Sequence, residues 1–172
     1  ASMMILGQVA KKAAEFDVRL ISPHCDYMVL PMAQEIVQNS YNEVGRPDAY
    51  NANDIFFVSY DQFPFCAGVN GLTVRERVAT IFYMGFFNAE ALLLTETGNQ
   101  TGAFQIAGTD AITQVPFFIT TCSYTLIGEE FYAASAYISR NPDLVSMLKA
   151  SDYFKVFIVA SLIIGAILAT FN

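Results

Sequence analysis

Charge is scarce in this sequence. Asp, Glu, Lys and Arg make up 15% of its 172 residues, whereas roughly 25% is usual for a soluble chain. Only nine residues are Lys or Arg, and the net charge is −7. A nucleic-acid surface needs clustered cations that neutralise phosphates, so we expect no nucleic acid among the partners. The apolar fraction is high, at 54%, and a chain of this length suits one compact domain.

Cysteine, histidine and nucleotide-binding motifs are also scarce. The three cysteines, Cys25, Cys66 and Cys122, lie far apart without a CxxC pair, and His24 is the only histidine. Such a set cannot complete a zinc site, and free thiols in a reducing compartment are the simpler interpretation. No GxGxxG or GxxxxGKS/T motif opens a loop, so we predict neither a dinucleotide site nor a P-loop, and no cofactor.

The sequence does contain a long uncharged run near its end. VFIVASLIIGAILATF, residues 156–171, has no charged residue. With Phe154 and Lys155 in front, a helix would be about 27 Å long against a hydrocarbon core of roughly 30 Å, and Lys155 could reach the headgroups. We therefore predict a single transmembrane helix over residues 153–172, with membrane lipid as a partner. The alternative is a buried core helix.

The cations near this run predict its orientation. Arg140, Lys149 and Lys155 precede it, and none follows. The positive-inside bias then places residues 1–152, the predicted globular domain, in the cytoplasm. The chain begins Ala-Ser-Met-Met, so we expect it to be a piece of a longer or processed polypeptide.

A second apolar run, VATIFYMGFFNAEALLL at residues 78–94, could be mistaken for another span. It contains Asn88 and Glu90, and an ionised carboxylate in lipid is costly enough that such residues usually face protein. We predict that this run is a buried helix of the globular part. The alternative is a re-entrant helix or one that lies on the membrane.

Helical and strand patterns alternate in the rest of the chain. The predicted order is a helix at 3–15, the strand VRLIS, a helix at 32–44, the strand IFFVS, a helix at 78–95, the strand AFQIA and a helical stretch from 115 to 138 that ends before Arg140 and Asn141. This alternation favours an α/β fold with an open, mainly parallel three-stranded sheet flanked by helices, a Rossmann-like arrangement. Because the sheet would be thin and a helix comes first, we expect upstream strands or a partner chain to complete it.

An aspartate and then a proline follow each predicted strand. The aspartates are Asp26, Asp61 and Asp110, and the prolines are Pro31, Pro64 and Pro116. Proline suits the first turn of a helix, so helices should begin near the prolines and leave the aspartates in loops.

Ligands of open parallel sheets bind beyond the carboxyl ends of the strands, where these loops would converge. Three carboxylates there could bind Mg²⁺ or Ca²⁺ or shift one another's pKa for acid-base chemistry; alternatively, each caps a turn or helix.

The stretch LISPHCDYMVLP adds His24 and Cys25 to this candidate site. A thiolate nucleophile needs a base beside it, but adjacent residues on a strand point to opposite faces, so His24 cannot readily serve Cys25. His24 could act with Asp61 or Asp110, since parallel strands lie about 4.8 Å apart. We expect a hydrogen-bonded loop histidine rather than a catalytic one. The candidate ligand-binding residues are His24, Asp26, Asp61 and Asp110, and no residue is assigned as catalytic.

Aromatic residues are abundant. Fifteen Phe and nine Tyr exceed what a thin core can enclose, and they cluster in QFPF, FYMGFF, PFF and EEFY. Exposed aromatic side chains favour an interaction surface, although many will cover the faces of the sheet. Glu129 and Glu130 near Tyr132 form either a solvated patch or a polar contact with another subunit.

Four segments carry a resemblance: ILGQVAKKAAEFDVRLISPHCD, GRPDAYNANDIFFVSYDQF, ETGNQTGAFQIAGTDA and FYAASAYISRNP. In these segments the chain resembles a bacterial family of integral membrane proteins known only as a domain of unknown function, over essentially its whole length. The resemblance implies membrane association and an α/β soluble part that is preceded by further sequence in the family. It carries over no catalytic residue.

Two hypotheses of different class follow. The first, which we favour, is a membrane-anchored, non-enzymatic scaffold that is completed by copies of itself in a homo-oligomer or by other subunits of a membrane complex. The second is a small-ligand-binding protein or metal-dependent enzyme that uses the cleft at the carboxyl ends of the strands.

Overall fold

The structure of this chain, a computed structural model, describes residues 1–139 and 142–171. Arg140 and Asn141, predicted to follow the last helical stretch, lie outside the described residues. The helices are α1 (Ser2–Glu15), α2 (Leu30–Glu43), α3 (Gln62–Glu76), α4 (Glu90–Gln100), α5 (Val115–Thr121), α6 (Glu129–Ser139) and α7 (Pro142–Phe171). The strands are β1 (Ser22–His24), β2 (Ile55–Phe57), β3 (Thr80–Met84), β4 (Phe104–Thr109) and β5 (Tyr124–Ile127).

The strands form two parallel sheets. β1 pairs with β2, and β3, β4 and β5 form a three-stranded sheet in that order. The predicted class is therefore confirmed: an open, parallel three-stranded sheet flanked by helices, followed by a long apolar C-terminal helix. The predicted membership of the sheet is wrong. β1 begins only at Ser22, the last residue of VRLIS, and it pairs with β2 from IFFVS in the smaller sheet, whereas AFQIA forms most of β4 in the larger one.

The apolar run at 78–94 is not one helix. Thr80–Met84 form β3, a loop follows, and α4 begins only at Glu90. The strand sequence TIFYM is rich in β-branched and aromatic residues, which pack well on a pleated surface. Gly85 then adopts a φ of 137°, which residues with a side chain rarely adopt, and the strand ends there.

The helical stretch predicted at 115–138 is also wrong, because it contains a strand. α5 ends at Thr121, and β5 pairs with β4. The strand sequence YTLI again combines aromatic and β-branched residues, and Gly128, with a φ of 54°, makes the turn into α6. The two missed strands lie on either side of β4, so they build most of the larger sheet.

The strands of the two sheets point the same way. Arg19, just before β1, forms ion pairs with Asp54, just before β2, and with Glu76 at the end of α3. At the opposite end, burial and, to a smaller extent, the Glu90 carboxylate after β3 raise the pKa of Cys25 after β1. We term the end at which the strands begin the amino edge and the end at which they finish the carboxyl edge.

Each sheet has its own hydrophobic cluster. One cluster joins α1, α2 and β2 through small and apolar buried residues: Ala10, Ala14, Ala33, Val37, Tyr41 and Ile55. The other fills the space between the larger sheet and α3, α4 and α5 with the buried residues Phe65, Cys66, Val69, Tyr83, Ala91, Leu94, Ala107 and Phe118. The helices therefore position the loops at both edges by packing against the sheets.

The last helix, α7, is built differently. Leu144, Val145 and Leu148 near its start are half-buried, but every side chain from Lys149 to Leu168 is exposed. Among the residues that the structure describes, Pro142–Leu168 is the one helical stretch long and apolar enough to cross a membrane, with a mean hydropathy of 1.8 and none of its apolar window buried. The alternative of a helix buried in the core of this chain is therefore wrong.

Candidate functional site

The three predicted aspartates all lie in loops at the carboxyl edge. Asp26 follows β1, Asp61 immediately precedes α3, and Asp110 follows β4. The prolines mark the helix starts as predicted, because α2, α3 and α5 each begin within two residues of one. The sequence therefore placed these carboxylates at the correct end of the strands.

Two of the aspartates have local hydrogen-bond partners. Asp26 Oδ1 accepts the backbone N–H of Met28 at 2.8 Å, an arrangement typical of a turn. Asp110 Oδ2 accepts the hydroxyl of Tyr132 at 2.6 Å, and this hydrogen bond raises the pKa of the tyrosine. In the described part of the chain, Asp61 makes no side-chain capping bond to α3. Asp61 is therefore the aspartate whose carboxylate is most available to a ligand.

The aspartates do not combine into a metal site. Asp26 and Asp61 follow the strands of the smaller sheet, whereas Asp110 follows the central strand of the larger one. Within residues 1–139 and 142–171, no group of three His, Cys, Asp or Glu side chains could hold a metal ion. A ligand at this edge would have to be bound by fewer carboxylates together with other groups.

His24 ends β1 and is half-buried. Its Nε2 lies 3.1 Å from Ser22 Oγ, within hydrogen-bond distance. Burial lowers the pKa of His24, so the neutral ring is favoured. The neighbouring residue Cys25 is exposed as a whole, but shielding of its thiol raises its pKa and disfavours the thiolate. The geometry thus shows a hydrogen-bonded histidine beside a thiol that is not activated.

A depression beside Asp61 is the most suitable small-molecule site at the carboxyl edge. Its volume is about 520 Å³, and it is lined by Tyr60, Asp61, Gln62, Phe63 and Pro64. A carboxylate, an amide and two aromatic rings in one wall could bind a small molecule that has one polar side and one apolar side. The depression is open to solvent, so water competes with any such ligand.

A second cavity, of about 380 Å³, lies at the amino edge and was not predicted from the sequence. Arg19, Tyr41, Tyr50, Asp54 and Ile55 contribute to its wall. The Asp54 carboxylate is held by the Arg19 guanidinium through two contacts, at 2.6 Å and 3.2 Å, so both of its oxygens are occupied. Arg19 lies near the start of the predicted strand VRLIS and Asp54 directly precedes the predicted strand IFFVS, so parallel pairing of those strands was the signal that could have brought them together.

Glu90 is a buried carboxylate at the carboxyl edge. It begins α4 and is only 7% exposed, and in the described part of the chain its Oε2 has no hydrogen-bond partner. The positive end of the helix dipole favours a negative charge at this position. Burial and the Glu90 charge together raise the pKa of Cys66, as they do for Cys25. In the sequence, Glu90 indicated only that the run at 78–94 is not a second membrane span.

Buried polar groups fix the loops of the larger sheet. Gln114 Oε1 accepts the backbone N–H of Phe87 at 3.0 Å and lies 3.2 Å from the hydroxyl of Thr109. These bonds tie the loop after β3 to the loop after β4. The hydroxyl of Tyr83 lies 3.1 Å from the carbonyl oxygen of Leu94, and burial raises its pKa. Gln114 therefore fixes the two loops of the larger sheet relative to each other.

The comparisons with known proteins give one match. A family model described as Domain of unknown function (DUF6754) matches residues 1–172. No curated protein and no solved structure matches the chain. The match covers the whole chain and names no reaction, so the functional argument depends on the geometry.

Proposed function

We propose that this chain, which belongs to the DUF6754 family of domains of unknown function, serves as a membrane-anchored, non-enzymatic structural subunit of a homo-oligomer or a larger membrane assembly. In this proposal α7 is the anchor, and residues 1–139, the body, carry the contacts to other subunits. The observation that carries the proposal is the fully exposed apolar surface of α7.

The exposed half of α7 supports membrane anchoring. A helix that is apolar all round is stable only when protein or lipid covers it, and none of the residues that the structure describes buries residues 149–168. Lys149 and Lys155 lie on the body side of the apolar run, and the positive-inside bias therefore supports a cytoplasmic body. The resemblance of four segments to bacterial integral membrane proteins supports a bacterial membrane as its location.

The free side of β5 supports self-assembly. Within the residues that the structure describes, β5 pairs only with β4. The N–H of Ser123 donates to the carbonyl of Gln105, and successive N–H groups along a strand point to opposite sides, so the N–H of Tyr124 faces away from β4. An unpaired strand side of this kind is a template for pairing with another chain. We therefore assign the contact between copies to β5.

A substitution in β5 tests this assignment. Proline is tolerated at the first position of an edge strand but cannot donate a hydrogen bond, so Tyr124→Pro should keep the fold and remove the outward donor. Tyr124→Thr is the matched control, because it removes the same ring and keeps the N–H. We expect the full chain in mild detergent to be an oligomer by light scattering, Tyr124→Pro to be monomeric, and Tyr124→Thr to stay assembled.

Two results would contradict the proposal at different levels. A strictly monomeric wild-type particle would argue against the scaffold as a whole. An oligomer that persists unchanged in Tyr124→Pro would remove β5 as the contact, while the scaffold itself would stand. Circular dichroism of both variants serves as the control for folding. An unchanged spectrum means that a loss of assembly does not come from a loss of structure.

The depression beside Asp61 supports the alternative, a ligand-binding protein or metal-dependent enzyme at the carboxyl edge. Joint replacement of Asp26, Asp61 and Asp110 by Asn distinguishes the two functions. The scaffold predicts an unchanged particle mass and no Mg²⁺ or Ca²⁺ binding by either protein in equilibrium dialysis. Binding of either ion by the wild type and its loss in the triple variant, with assembly unchanged, would favour the alternative.

A further inference from the structure

α6 and α7 form a hairpin that returns the chain to the carboxyl edge. α6 begins at Glu129, directly after the turn that follows β5, so its first residue lies at that edge. The helix leads away from the edge, and α7, which begins at Pro142, packs against it. The ammonium group of Lys155 in α7 forms an ion pair with the carboxylate of Glu129. This contact places Lys155 beside the start of α6, at the carboxyl edge.

The lengths of α6 and of the first part of α7 are similar, as the contact between Lys155 and Glu129 requires. α6 has 11 residues, which is about 16 Å, and residues 142–155 of α7 extend about 21 Å. α7 continues without interruption to Phe171. Its apolar part, residues 156–171, therefore extends about 24 Å beyond the carboxyl edge, because each helical residue adds about 1.5 Å.

The carboxyl edge itself exposes large apolar side chains after four strands, all in loops except Phe63, which lies in the first turn of α3. They are Tyr27 and Met28 after β1, Tyr60 and Phe63 after β2, Phe86 after β3, and Ile112 after β4. Met28 is 81% exposed and Ile112 is 86% exposed, so these side chains contribute almost nothing to the core. Several such residues at one end of a body indicate a surface that is covered by something else.

The loops at this edge carry charges of one sign. The loops that leave the strands contain Asp26, Asp61 and Asp110 but no Lys or Arg. The six cations of the body lie in helices or turns that approach the amino edge: Lys11, Lys12, Arg19, Arg46, Arg75 and Arg77. Loops with acidic groups and no cations gain no attraction from anionic headgroups.

We propose that the carboxyl edge of the body rests on the bilayer, with Tyr60, Phe63 and Phe86 among the side chains that enter the headgroup layer. This inference rests on the proposed function, because it takes α7 to be the membrane anchor. Tyrosine and other amphipathic or apolar side chains are favoured at the boundary between headgroups and acyl chains. The lipid surface that fits this edge is zwitterionic, such as phosphatidylcholine, rather than anionic.

The direction of α7 favours lipid over a second protein as the occupant. The span leaves the body at the same edge that carries the exposed side chains, and Lys155 is held against Glu129 at this level. The membrane surface must then begin close to Lys155. A second copy bound to the carboxyl edge would have to fit between the body and the bilayer, where the short distance from Lys155 to the apolar run leaves little room.

Single tryptophan probes test the inference, because the chain has no Trp. The probes for the carboxyl edge are Phe63→Trp and Phe86→Trp, the matched probes for the amino edge are Phe104→Trp and Tyr124→Trp, and the probe for the span is Phe157→Trp. Each full-length variant is reconstituted into phosphatidylcholine vesicles with and without bromine on the acyl chains, and Trp emission is compared. Bromine quenches a Trp only at close range.

We expect brominated lipid to reduce the emission of Phe157→Trp strongly and that of Phe63→Trp and Phe86→Trp about twofold, since apolar groups at the interface reach about 5–10 Å into the boundary between headgroups and acyl chains. The amino-edge probes should keep their emission. Quenching of Phe157→Trp with no quenching of the carboxyl-edge probes, or with equal quenching at both edges, would overturn this inference and leave the anchor intact. An unquenched Phe157→Trp would instead overturn the proposed function.

A second lipid composition tests the charge argument. Replacing part of the phosphatidylcholine with phosphatidylglycerol should leave the quenching of Phe63→Trp and Phe86→Trp unchanged or weaker. Stronger quenching on the anionic surface would contradict the preference for zwitterionic lipid.

Discussion

At the amino edge, guanidinium groups and carboxylates pair between loops, whereas at the carboxyl edge aromatic and methionine side chains are exposed without a cation in the loops. Arg19 forms ion pairs with Asp54, just before β2 of the smaller sheet, and with Glu76, at the end of α3 before the larger sheet. The guanidinium of Arg46 lies 2.8 Å from the carboxylate of Asp17. The amino edge exposes apolar residues too, but the ammonium of Lys12 lies 6.0 Å from the ring of Phe16. A surface that mixes charged side chains with single apolar ones is typical of protein exposed to water.

The difference between the edges indicates that the amino edge faces water, and it supports the proposal that the carboxyl edge faces a membrane. The carboxyl edge of an open parallel sheet usually binds polar ligands. In this chain the polar groups at that edge are partly engaged in turns and hydrogen bonds, and apolar side chains occupy the loop tips. Because α7 leaves the body at the same edge, we propose that the exposed side chains and the apolar helix face one membrane together.

A charge in the middle of the apolar run should have the largest effect on this arrangement. Ile164→Arg places a guanidinium near the centre of the proposed span, which costs about 2.5–3.5 kcal/mol and lowers the ratio of inserted to free protein by about a hundredfold. Ile164→Leu is the control and should insert like the wild type. Sedimentation with membranes after an alkaline carbonate wash measures the inserted fraction. Equal retention of Ile164→Arg and Ile164→Leu would contradict a membrane span.

Loss of the ion pairs at the amino edge should have a smaller effect, confined to stability. Arg19→Ala leaves the Asp54 carboxylate, whose side chain is only 14% exposed, without its partner. We expect the Tm of the detergent-solubilised chain to fall by several degrees and membrane retention to stay unchanged. Arg75→Ala removes the same charge on α3, where no ion pair of Arg75 is formed in the described part of the chain. If Arg19→Ala and Arg75→Ala lowered Tm equally, the change in net charge would explain the effect, and the ion pairs of Arg19 would not.

Acid should weaken the carboxyl edge slightly through His24. Burial lowers the pKa of His24 below its ordinary value of 6.5, so the folded state favours the neutral ring. The unfolded chain then binds the proton more readily than the folded chain, and stability is full above about pH 6.5 and declines as the pH falls below it. We expect the loss in urea midpoint between pH 7 and pH 5.5 to be smaller in His24→Gln than in the wild type. Identical losses would show that the environment of His24 does not change on folding.

Much of the fold could be predicted from local pattern. Amphipathic periodicity placed α1 and α2 correctly, and the uncharged run predicted the exposed part of α7. The strands β3 and β5 were missed because an apolar run has the same composition in a buried helix and in a buried strand. The available signals were the β-branched and aromatic residues of TIFYM and YTLI, each followed by a glycine that adopts a positive φ.

The candidate site could be predicted only in part, because the sequence does not contain the order of the strands. Asp26, Asp61 and Asp110 were placed correctly in loops after strands. Whether they meet depends on which strands are neighbours, and the division into two sheets separates Asp110 from the other two. The contact between Arg19 and Glu76 likewise joins residues that are 57 positions apart and arises from the packing of α3.

The most direct test of the account is a measurement of which edge faces the lipid. The full chain is placed in bilayer nanodiscs that contain a lipid with a gadolinium chelate on its headgroup, and the relaxation of each backbone amide is recorded by NMR. The account predicts the strongest enhancement at residues 26–28, 60–63, 86–88 and 111–113 and the weakest at 16–19, 46–53 and 76–79. Stronger enhancement at the amino edge, or equal enhancement at both edges, would contradict it.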